Sequence, residues 1–376
     1  MSRNIPGWKD KVLLTPGPLT TSRTVKMAML RDLGSRDSEF VNVVKEIRQR
    51  LLKAGEVDDS DYTTIILQGA GTYSIESVLS ATVPQNGKVI VIMNGAYGRR
   101  IGELATCLKI PVVPIEFNEE DMPDVKKIEE VIAREKDATH VCMVHCETST
   151  GMFNPIKEVG ALVKKYNKKY FVDAMSSFGA TKINLREFNI DYIVSSANKC
   201  IEGVPGFGFI LCKKASLEQT KGYARSVSFD LYAQWKGLDL NGQFRFTPPT
   251  HSLNAFYQAL LELEAEGGVE ARTKRYRDNY TTLLNGMREL GFKDFLNPDY
   301  QGWIITAVRY PKDPKFNFET FFSKLNERGY VIYPGKAAKA DCFRLGNIGR
   351  LFKEDMLGAL TAVKEVIREM GFDPSK

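Results

Sequence analysis

Short runs rich in β-branched residues alternate with amphipathic segments between residues 62 and 212, and this alternation constrains the fold more than any other feature. The predicted strands are YTTIILQ (62–68), KVIVIMN (88–94), PVVPIEF (111–117), HVCMVH (140–145), KYFVDA (169–174), DYIVSS (191–196) and FGFILC (207–212). Helical patterns separate them at 73–81, 96–108, 123–135 and 156–166. Strands that alternate with helices in this way predict an α/β fold, with a mostly parallel sheet covered on both faces.

The pattern changes after about residue 250. Two long helical stretches (252–266 and 269–290) precede WIITAVRY (303–310), a helix (318–329), VIYP (331–334), CFRLGNI (342–348) and a closing helix (352–370). Two further helices, 22–31 and 38–54, come before the first strand of the alternation. The 376 residues are enough for two domains. We therefore predict a large α/β domain over 15–250 and a smaller α+β domain over 251–376, joined by the N-terminal segment 1–14.

Composition excludes several classes of protein. The chain is 43% apolar and 26% charged, with a net charge of +6, which is typical of a globular protein. Its basic residues between 164 and 169 are interrupted and indicate a solvated surface rather than a nucleic-acid site. We find no secretory signal and no apolar run long enough to cross a membrane. The six cysteines lack metal-type spacing, so we expect free thiols, as is typical of a cytoplasmic protein, and no metal site. From the charge pattern and the missing apolar run we expect neither nucleic acid nor a membrane as a partner.

Five predicted strands end in polar or glycine-rich loops. These loops are Gln68–Thr72, Asn94–Gly98, His145–Thr148, Asp173–Ser176 and Ser195–Lys199. Ligands of open α/β sheets bind at the carboxyl ends of the strands. The five loops together therefore predict one site assembled from all of them.

The first loop, in QGAGTYSIESVL, has the composition of a phosphate site. Glycines let backbone N–H groups approach an anion, and the start of a helix favours negative charge. The loop does not match the dinucleotide fingerprint, because Ser74 stands at the third glycine, and it lacks the lysine of a P-loop. Taken alone, the loop is as typical of a tight turn as of a phosphate site.

Asp173 and Lys199 favour the phosphate site over the tight turn. A carboxylate at the end of an interior strand is costly unless it meets a positive partner, although Asp is also common as a turn former. A buried lysine tends to lose its proton and becomes a nucleophile toward carbonyls, although many lysines simply reach the surface. A phosphate loop, a carboxylate and a lysine together are what pyridoxal 5′-phosphate (PLP) requires. Tyr97 is placed to stack on its ring, although it could instead be simple core packing. Thr148 is placed to reach the ring oxygen, although its hydroxyl could equally satisfy a loop backbone.

Longer segments carry a family resemblance. They are LLTPGPLTTSRTVK (13–26), LQGAGTYSIESVL (67–79), NGAYGRR (94–100), MVHCETSTGMFNPI (143–156), FVDAMSSFGA (171–180), SSANKCIEGVPGFGF (195–209), SFDLYAQW (228–235), RFTPPTH (245–251) and VIYPGK with DCFRLGNIG (331–349). With them the chain resembles the class V, fold-type I aminotransferases, PLP enzymes built as homodimers with sites at the interface.

The resemblance implies a role for each matched residue. It implies that Lys199 forms the Schiff base with the cofactor, that Asp173 binds the pyridine nitrogen, and that Arg344 binds the carboxylate of the substrate. The implied cofactor contacts are Gly69, Ala70, Gly71 and Thr72 on the phosphate, Tyr97 and Met175 on the two ring faces, Thr148 on the phenolic oxygen, Asn198 beside the lysine, and Thr247 on the phosphate of the neighbouring subunit. Arg36 is a further hypothesis, as a partner of a phosphonate group.

Within the family, the chain most resembles members that transfer the amino group of 2-aminoethylphosphonate to pyruvate. This implies phosphonoacetaldehyde and L-alanine as products. An alanine– or serine–glyoxylate aminotransferase is the alternative on the same fold. A lyase or desulfurase that uses Cys342, and a binding or scaffold protein that lost catalysis, are further alternatives.

Overall fold

The computed structural model describes residues 10–335 and 341–376. The beginning of the predicted segment 1–14 and the end of the motif VIYPGK lie outside the described residues. The strands are β1 (Val12–Leu13), β2 (Tyr62–Gly69), β3 (Lys88–Met93), β4 (Val112–Glu116), β5 (Ala138–Val144), β6 (Cys146–Glu147), β7 (Met152–Phe153), β8 (Lys169–Asp173), β9 (Tyr192–Ser196), β10 (Gly206–Lys213), β11 (Ile305–Arg309), β12 (Tyr330–Val331), β13 (Tyr333–Pro334) and β14 (Cys342–Gly346). The helices are α1 (Arg23–Met27), α2 (Ser38–Ala54), α3 (Gly71–Thr82), α4 (Ala96–Cys107), α5 (Val125–Arg134), α6 (Ile156–Lys165), α7 (Lys214–Glu218), α8 (Leu231–Asn241), α9 (Thr250–Glu266), α10 (Gly268–Glu289), α11 (Phe318–Glu327) and α12 (Lys353–Met370).

A seven-stranded sheet forms the centre of the molecule, in the order β2-β10-β9-β8-β5-β3-β4. The strands from β9 to β4 pair in parallel, whereas β10 is antiparallel to both β9 and β2. The predicted α/β fold with a mostly parallel sheet is therefore confirmed. The carboxyl ends of β2, β3, β5, β8 and β9 lie along one edge of this sheet.

The helices cover both faces of the sheet because their apolar residues recur with the helical period. In α5, VKKIEEVIAR, the side chains of Ile128, Val131 and Ile132 are buried, while the charged residues between them face solvent. The Asp124 carboxylate caps the helix by accepting the Lys126 N–H at 2.9 Å. Full burial of an isoleucine side chain stabilises the fold by about 1.5–3 kcal/mol. The buried apolar residues of α5 therefore hold this helix against the sheet.

A second, smaller body contains the antiparallel sheet β11-β14-β13 with α11 and α12. Its core includes Phe292, Phe321 and Phe343, and the N-terminal strand joins it because β1 pairs in parallel with β12. Helix α9 packs on the core of the large sheet, where Phe256 contacts Phe207 at a ring distance of 5.0 Å. The domain boundaries of 15–250 and 251–376 stay a prediction. Within residues 10–335 and 341–376, no helix combines the length and the apolar character needed to cross a membrane.

Candidate active site

Lys199 lies on the turn that follows β9, with its side chain half-buried under the N-terminal loop. Its Nζ donates a hydrogen bond to the Pro16 carbonyl at 2.7 Å. Gly17 has a φ of +110°, and a Cβ there would lie 2.6 Å from the Asn198 carbonyl oxygen and 2.7 Å from Lys199 Cδ. Only glycine fits at this position, so the loop lies directly against the lysine.

The environment of Lys199 favours its neutral form. Burial lowers the pKa of the ammonium to about 8, and the positive charge of Arg344 lowers it further, while Asp173 acts in the opposite direction. About one tenth of this lysine is therefore uncharged at pH 7, far more than for a lysine with the ordinary pKa of 10.5. Since only a neutral amine attacks a carbonyl, the side chain is suited to nucleophilic chemistry.

Asp173 is the last residue of β8 and is 1% exposed. Its Oδ1 accepts the Met175 N–H at 2.8 Å. Burial, followed by the repulsion from Glu147, raises the pKa of the carboxyl to about 6, although Lys199 and Arg100 oppose the shift. These electrostatic couplings place the carboxylate and the lysine in one neighbourhood. A cation bound beside Asp173, such as a protonated pyridine nitrogen, would relieve the cost of its burial.

The glycine-rich loop forms the start of α3. Gly69 ends β2, and Ala70 is the N-cap residue but provides no side-chain hydrogen bond to the helix. The Tyr73 N–H donates to the Ala70 carbonyl at 3.0 Å, which leaves the N–H groups of Gly71 and Thr72, without a partner among the described residues, for an external acceptor. Gly71 packs so closely on Met175 that a Cβ would overlap its Sδ. The loop, including the partly buried Thr72, fits a phosphate group at the helix N-terminus.

Tyr97 lies in the first turn of α4, held by a buried carboxylate. Glu147 accepts the N–H groups of Tyr97 and Gly98, each at 3.1 Å, and the hydroxyl of Ser149 at 2.8 Å. The Arg100 guanidinium lies 4.8 Å from the centre of the Tyr97 ring. The tyrosine is partly buried, so its ring can stack on a planar ligand.

Arg344 on β14 is 5% exposed and reaches across from the smaller body. Its Nε donates to the Pro334 carbonyl at 3.0 Å, and its Nη1 donates to the Thr148 carbonyl at 3.1 Å. Among the described residues, no carboxylate lies within ion-pair distance of this guanidinium. A buried cation without a counterion is suited to bind a carboxylate from outside the chain. The Thr148 side chain shares a hydrogen bond of 2.7 Å with Ser176.

Two predicted residues are exposed, and neither has a described contact with Lys199, Asp173 or Arg344. Thr247 is exposed, and its carbonyl accepts the Gln68 side-chain amide at 2.8 Å, close to the end of β2. Arg36 is exposed in the turn before α2. Their roles stay predictions, as do those of the other site residues.

Sequence reasoning assigned no individual role to Pro16, Glu147 or Ser176, although Glu147 and Ser176 lie in two of the loops predicted to form the site. Glu147 carries a signal similar to that of Asp173, a carboxylate within three residues of the end of a buried strand, and could have been found by it. Pro16 contributes only a backbone carbonyl, which no residue type encodes. Among the described residues, no group of histidine, cysteine and carboxylate side chains could hold a metal ion, while the uncapped helix, the buried carboxylate and the lysine fit PLP.

Comparisons with known proteins agree with this chemistry. The aminotransferase class-V family model matches residues 21–337. A 2-aminoethylphosphonate–pyruvate transaminase from Bacillus cytotoxicus is 50% identical over 355 residues, which cover 94% of this chain and 97% of the relative. A protein of the same name from Klebsiella pneumoniae is 49% identical over 357 residues, with the same coverage. The structure of ureidoglycine–glyoxylate aminotransferase from Bacillus subtilis superposes with a TM-score of 0.89 at 23% identity, covering 97% of this chain and 94% of that one, which establishes a shared fold.

Proposed function

The chain belongs to the class-V aminotransferase family, and on this premise we propose that it transfers the amino group of 2-aminoethylphosphonate to pyruvate. The products are phosphonoacetaldehyde and L-alanine. Relatives that carry this activity in their names are about half identical over nearly their whole length. The observation that carries the proposal is the buried Arg344, without a carboxylate partner among the described residues, beside a lysine whose pKa is lowered to about 8.

Class-V aminotransferases are PLP-dependent enzymes, and we propose that this chain binds PLP. The loop from Gly69 to Thr72 would hold the phosphate group, and Asp173 the ring nitrogen. Tyr97, Met175, Thr148 and Asn198 would complete the pocket. Bound PLP supplies an electron-withdrawing ring, which makes a proton on the amine-bearing carbon of a substrate acidic enough to remove.

Lys199 has two tasks in this proposal. It holds the cofactor between turnovers, and in its neutral form its Nζ removes the proton from the amine-bearing carbon of the donor. The pKa of about 8 suits both tasks, because about one tenth of the nitrogen is neutral at pH 7 while the protonated form can still return the proton. Asp173 supplies the fixed negative charge that balances a protonated ring nitrogen.

Arg344 recognises the second substrate. Two of its donors are already used on backbone carbonyls, which fixes the guanidinium plane. The remaining donors can bind the carboxylate of pyruvate and later that of alanine. The donor 2-aminoethylphosphonate has no carboxylate, so its dianionic group requires another cation, and exposed Arg36 is our hypothesis for it.

We further propose a homodimer in which Thr247 reaches the cofactor phosphate of the neighbouring subunit. Thr247 is exposed, and so is the aromatic ring of Phe246 beside it. Subunit mixing tests this arrangement. A Thr247→Glu variant and a Lys199→Ala variant, each impaired alone, should regain activity when refolded together, since a mixed dimer contains one intact site. Unchanged activity after mixing, or a monomer by light scattering, would contradict the arrangement.

A cytoplasmic location is also proposed. All six cysteines are free thiols, and reduced thiols are typical of that compartment. Fractionation of cells that express a tagged chain tests this proposal, and recovery outside the cytoplasmic fraction would refute it.

An absorption spectrum tests cofactor and donor together. The purified protein should carry a visible band that sodium borohydride erases and that 2-aminoethylphosphonate bleaches, with pyruvate restoring it. Parallel double-reciprocal lines are expected, because one product leaves before the second substrate binds. A panel of amino donors with pyruvate or glyoxylate distinguishes the alternative glyoxylate-type activity. A colourless protein that gains no band with added PLP would refute the proposal.

A further inference from the structure

One face of helix α10 contacts both segments that carry the key cations of the site. The face consists of Arg272, Arg275, Tyr276 and Asn279, which follow the helical spacing of i, i+3, i+4 and i+7. One of the contacted segments is the turn 199–202, which begins with Lys199. The other is 347–351, which directly follows the strand that carries Arg344.

The first contact fixes the turn of the lysine. Arg272 Nη1 donates to the Cys200 carbonyl at 2.6 Å. The carboxylate Oε1 of Glu202 accepts the Tyr276 hydroxyl at 2.6 Å and Arg275 Nη2 at 2.7 Å. Glu202 has a φ of +66°, and its N–H closes the turn on the Lys199 carbonyl at 2.7 Å. Since residues other than glycine rarely adopt this backbone conformation, the contacts from α10 help to hold the turn in place.

The second contact fixes the segment after Arg344. The Tyr276 hydroxyl accepts the Gly349 N–H at 3.0 Å. Arg275 Nη1 donates to the carbonyls of Gly349 at 2.6 Å and Leu351 at 2.9 Å. Asn279 Nδ2 donates to the Leu351 carbonyl at 2.9 Å. The hydroxyl of Tyr276 is thus shared by both segments.

The charges in this cluster are deeply buried. Arg272 is 0% exposed and Glu202 is 2% exposed, and both pair with residues of the cluster. One polar atom of each, Arg272 Nη2 and Glu202 Oε2, has no hydrogen-bond partner within the described part of the chain. Buried ion pairs with unpaired atoms contribute little net stability compared with an apolar core. Their value lies in holding two segments in a defined relative position.

We propose that Tyr276 is a positioning residue that, with Arg272 and Arg275, sets the distance between Lys199 and Arg344. This distance matches the site to a 2-oxo acid, whose carboxylate is bonded directly to the reacting carbonyl carbon. The proposal rests on the proposed function, in which the lysine acts at that carbon and the arginine binds the carboxylate. Tyr276 is fully buried, so in this proposal it acts through the two segments that it joins rather than on a substrate.

Tyr276→Phe in the cofactor-loaded enzyme tests the proposal, because it removes only the shared hydroxyl. We expect kcat/KM for pyruvate to fall at least about ten-fold, while kcat/KM for 2-aminoethylphosphonate, which has no carboxylate, falls less than about three-fold. Tyr280→Phe is the matched control. It lies one turn further along α10, has no hydrogen bond to either segment among the described residues, and should leave both values unchanged. An equal fall for both substrates, or no fall, would overturn the proposal.

Hydrogen exchange provides a readout that does not depend on turnover. In Tyr276→Phe, peptides that cover 199–204 and 347–351 should both exchange faster than in the wild type, with little change in the cores of the two sheets. Faster exchange in only one segment, or an equal rise in Tyr280→Phe, would overturn the proposal. Glu202→Gln keeps the shape of the side chain, weakens the same link, and should give the same substrate split. If the wild type fails to use 2-aminoethylphosphonate and pyruvate, the proposed function fails, whereas the exchange result still decides whether Tyr276 joins the two segments.

Discussion

Replacing Asp173 by asparagine should stabilise the cofactor-free chain while abolishing its activity. The carboxyl has a pKa of about 6 in the folded protein, raised mainly by burial, against an ordinary value of 3.8. Below pH 3.8 it is protonated in both states and contributes no difference. Between pH 3.8 and pH 6 the unfolded chain releases this proton while the folded chain keeps it, so the stability of the wild type falls over this range, and above pH 6 it stays at the lower value. The difference of about two pKa units corresponds to roughly 3 kcal/mol at pH 8 and about half of that at pH 5.

Asparagine can still accept the Met175 N–H, so the variant avoids this charge at the cost of one buried amide, about 1 kcal/mol or more. Chemical unfolding of both cofactor-free proteins at pH 5 and pH 8 measures the effect. We expect the advantage of the variant to grow with pH by about 1–2 kcal/mol. Asp313→Asn is the control of opposite sign, because backbone hydrogen bonds from Lys315 and Asp373 lower the pKa of Asp313, and its stabilising effect is lost as the pH falls. An advantage of Asp173→Asn that is independent of pH, or that shrinks as the pH rises, would refute the reasoning.

Three further predictions follow from the same geometry. When PLP is added to the cofactor-free protein, the rate at which the visible band returns should rise with pH around a midpoint near 8. The reason is that burial lowers the pKa of Lys199 and only its neutral form reacts. A rate that does not change with pH would contradict this. Arg344→Lys should raise the KM for pyruvate by about ten-fold or more, because an ammonium cannot form two parallel hydrogen bonds to a carboxylate, and should change the KM for 2-aminoethylphosphonate little. Steady-state kinetics with each substrate varied in turn measures both KM values. Glu147→Gln should lower the melting temperature, since the N–H groups at the start of α4 lose a charged acceptor. It should also move the acid limb of the pH–rate profile to lower pH, because Glu147 raises the pKa of Asp173. An acid limb that stays in place would exclude that coupling.

Much of the fold could be predicted from the sequence because it depends on local patterns. The strands of the large sheet and the helices between them follow from runs of β-branched residues and from apolar residues at the helical spacing. Helix α8 was not predicted. Its buried face contains Gln234 among Leu231, Trp235 and Leu238, and a polar residue at a buried position obscures the pattern. Gln234 is accommodated because its side chain donates to the Ile66 carbonyl at 3.3 Å, a contact with a distant strand.

The residues of the candidate site also fall into those that could be predicted from the sequence and those that could not. Lys199, Asp173 and the glycine-rich loop each carry a signal in their own residue type and position, and the sequence assigned them to the edge where parallel strands end. The partners of these groups could not be predicted. Pro16 takes part through a backbone carbonyl, and the buried Glu202 and Tyr276 resemble ordinary surface or core residues when their neighbours are unknown.

By itself the sequence determined which chemical groups the chain offers and which strands and helices carry them, because side-chain identity and hydrophobic periodicity are local properties. Only the tertiary structure decided how these groups meet. The hydrogen bond from Lys199 to Pro16 spans 183 residues of sequence, and that from Arg344 to Thr148 spans 196. Such contacts depend on how the two packed bodies lie against each other. This arrangement fixes the separation and the shared burial of the two cations, and with them the lowered pKa of the lysine.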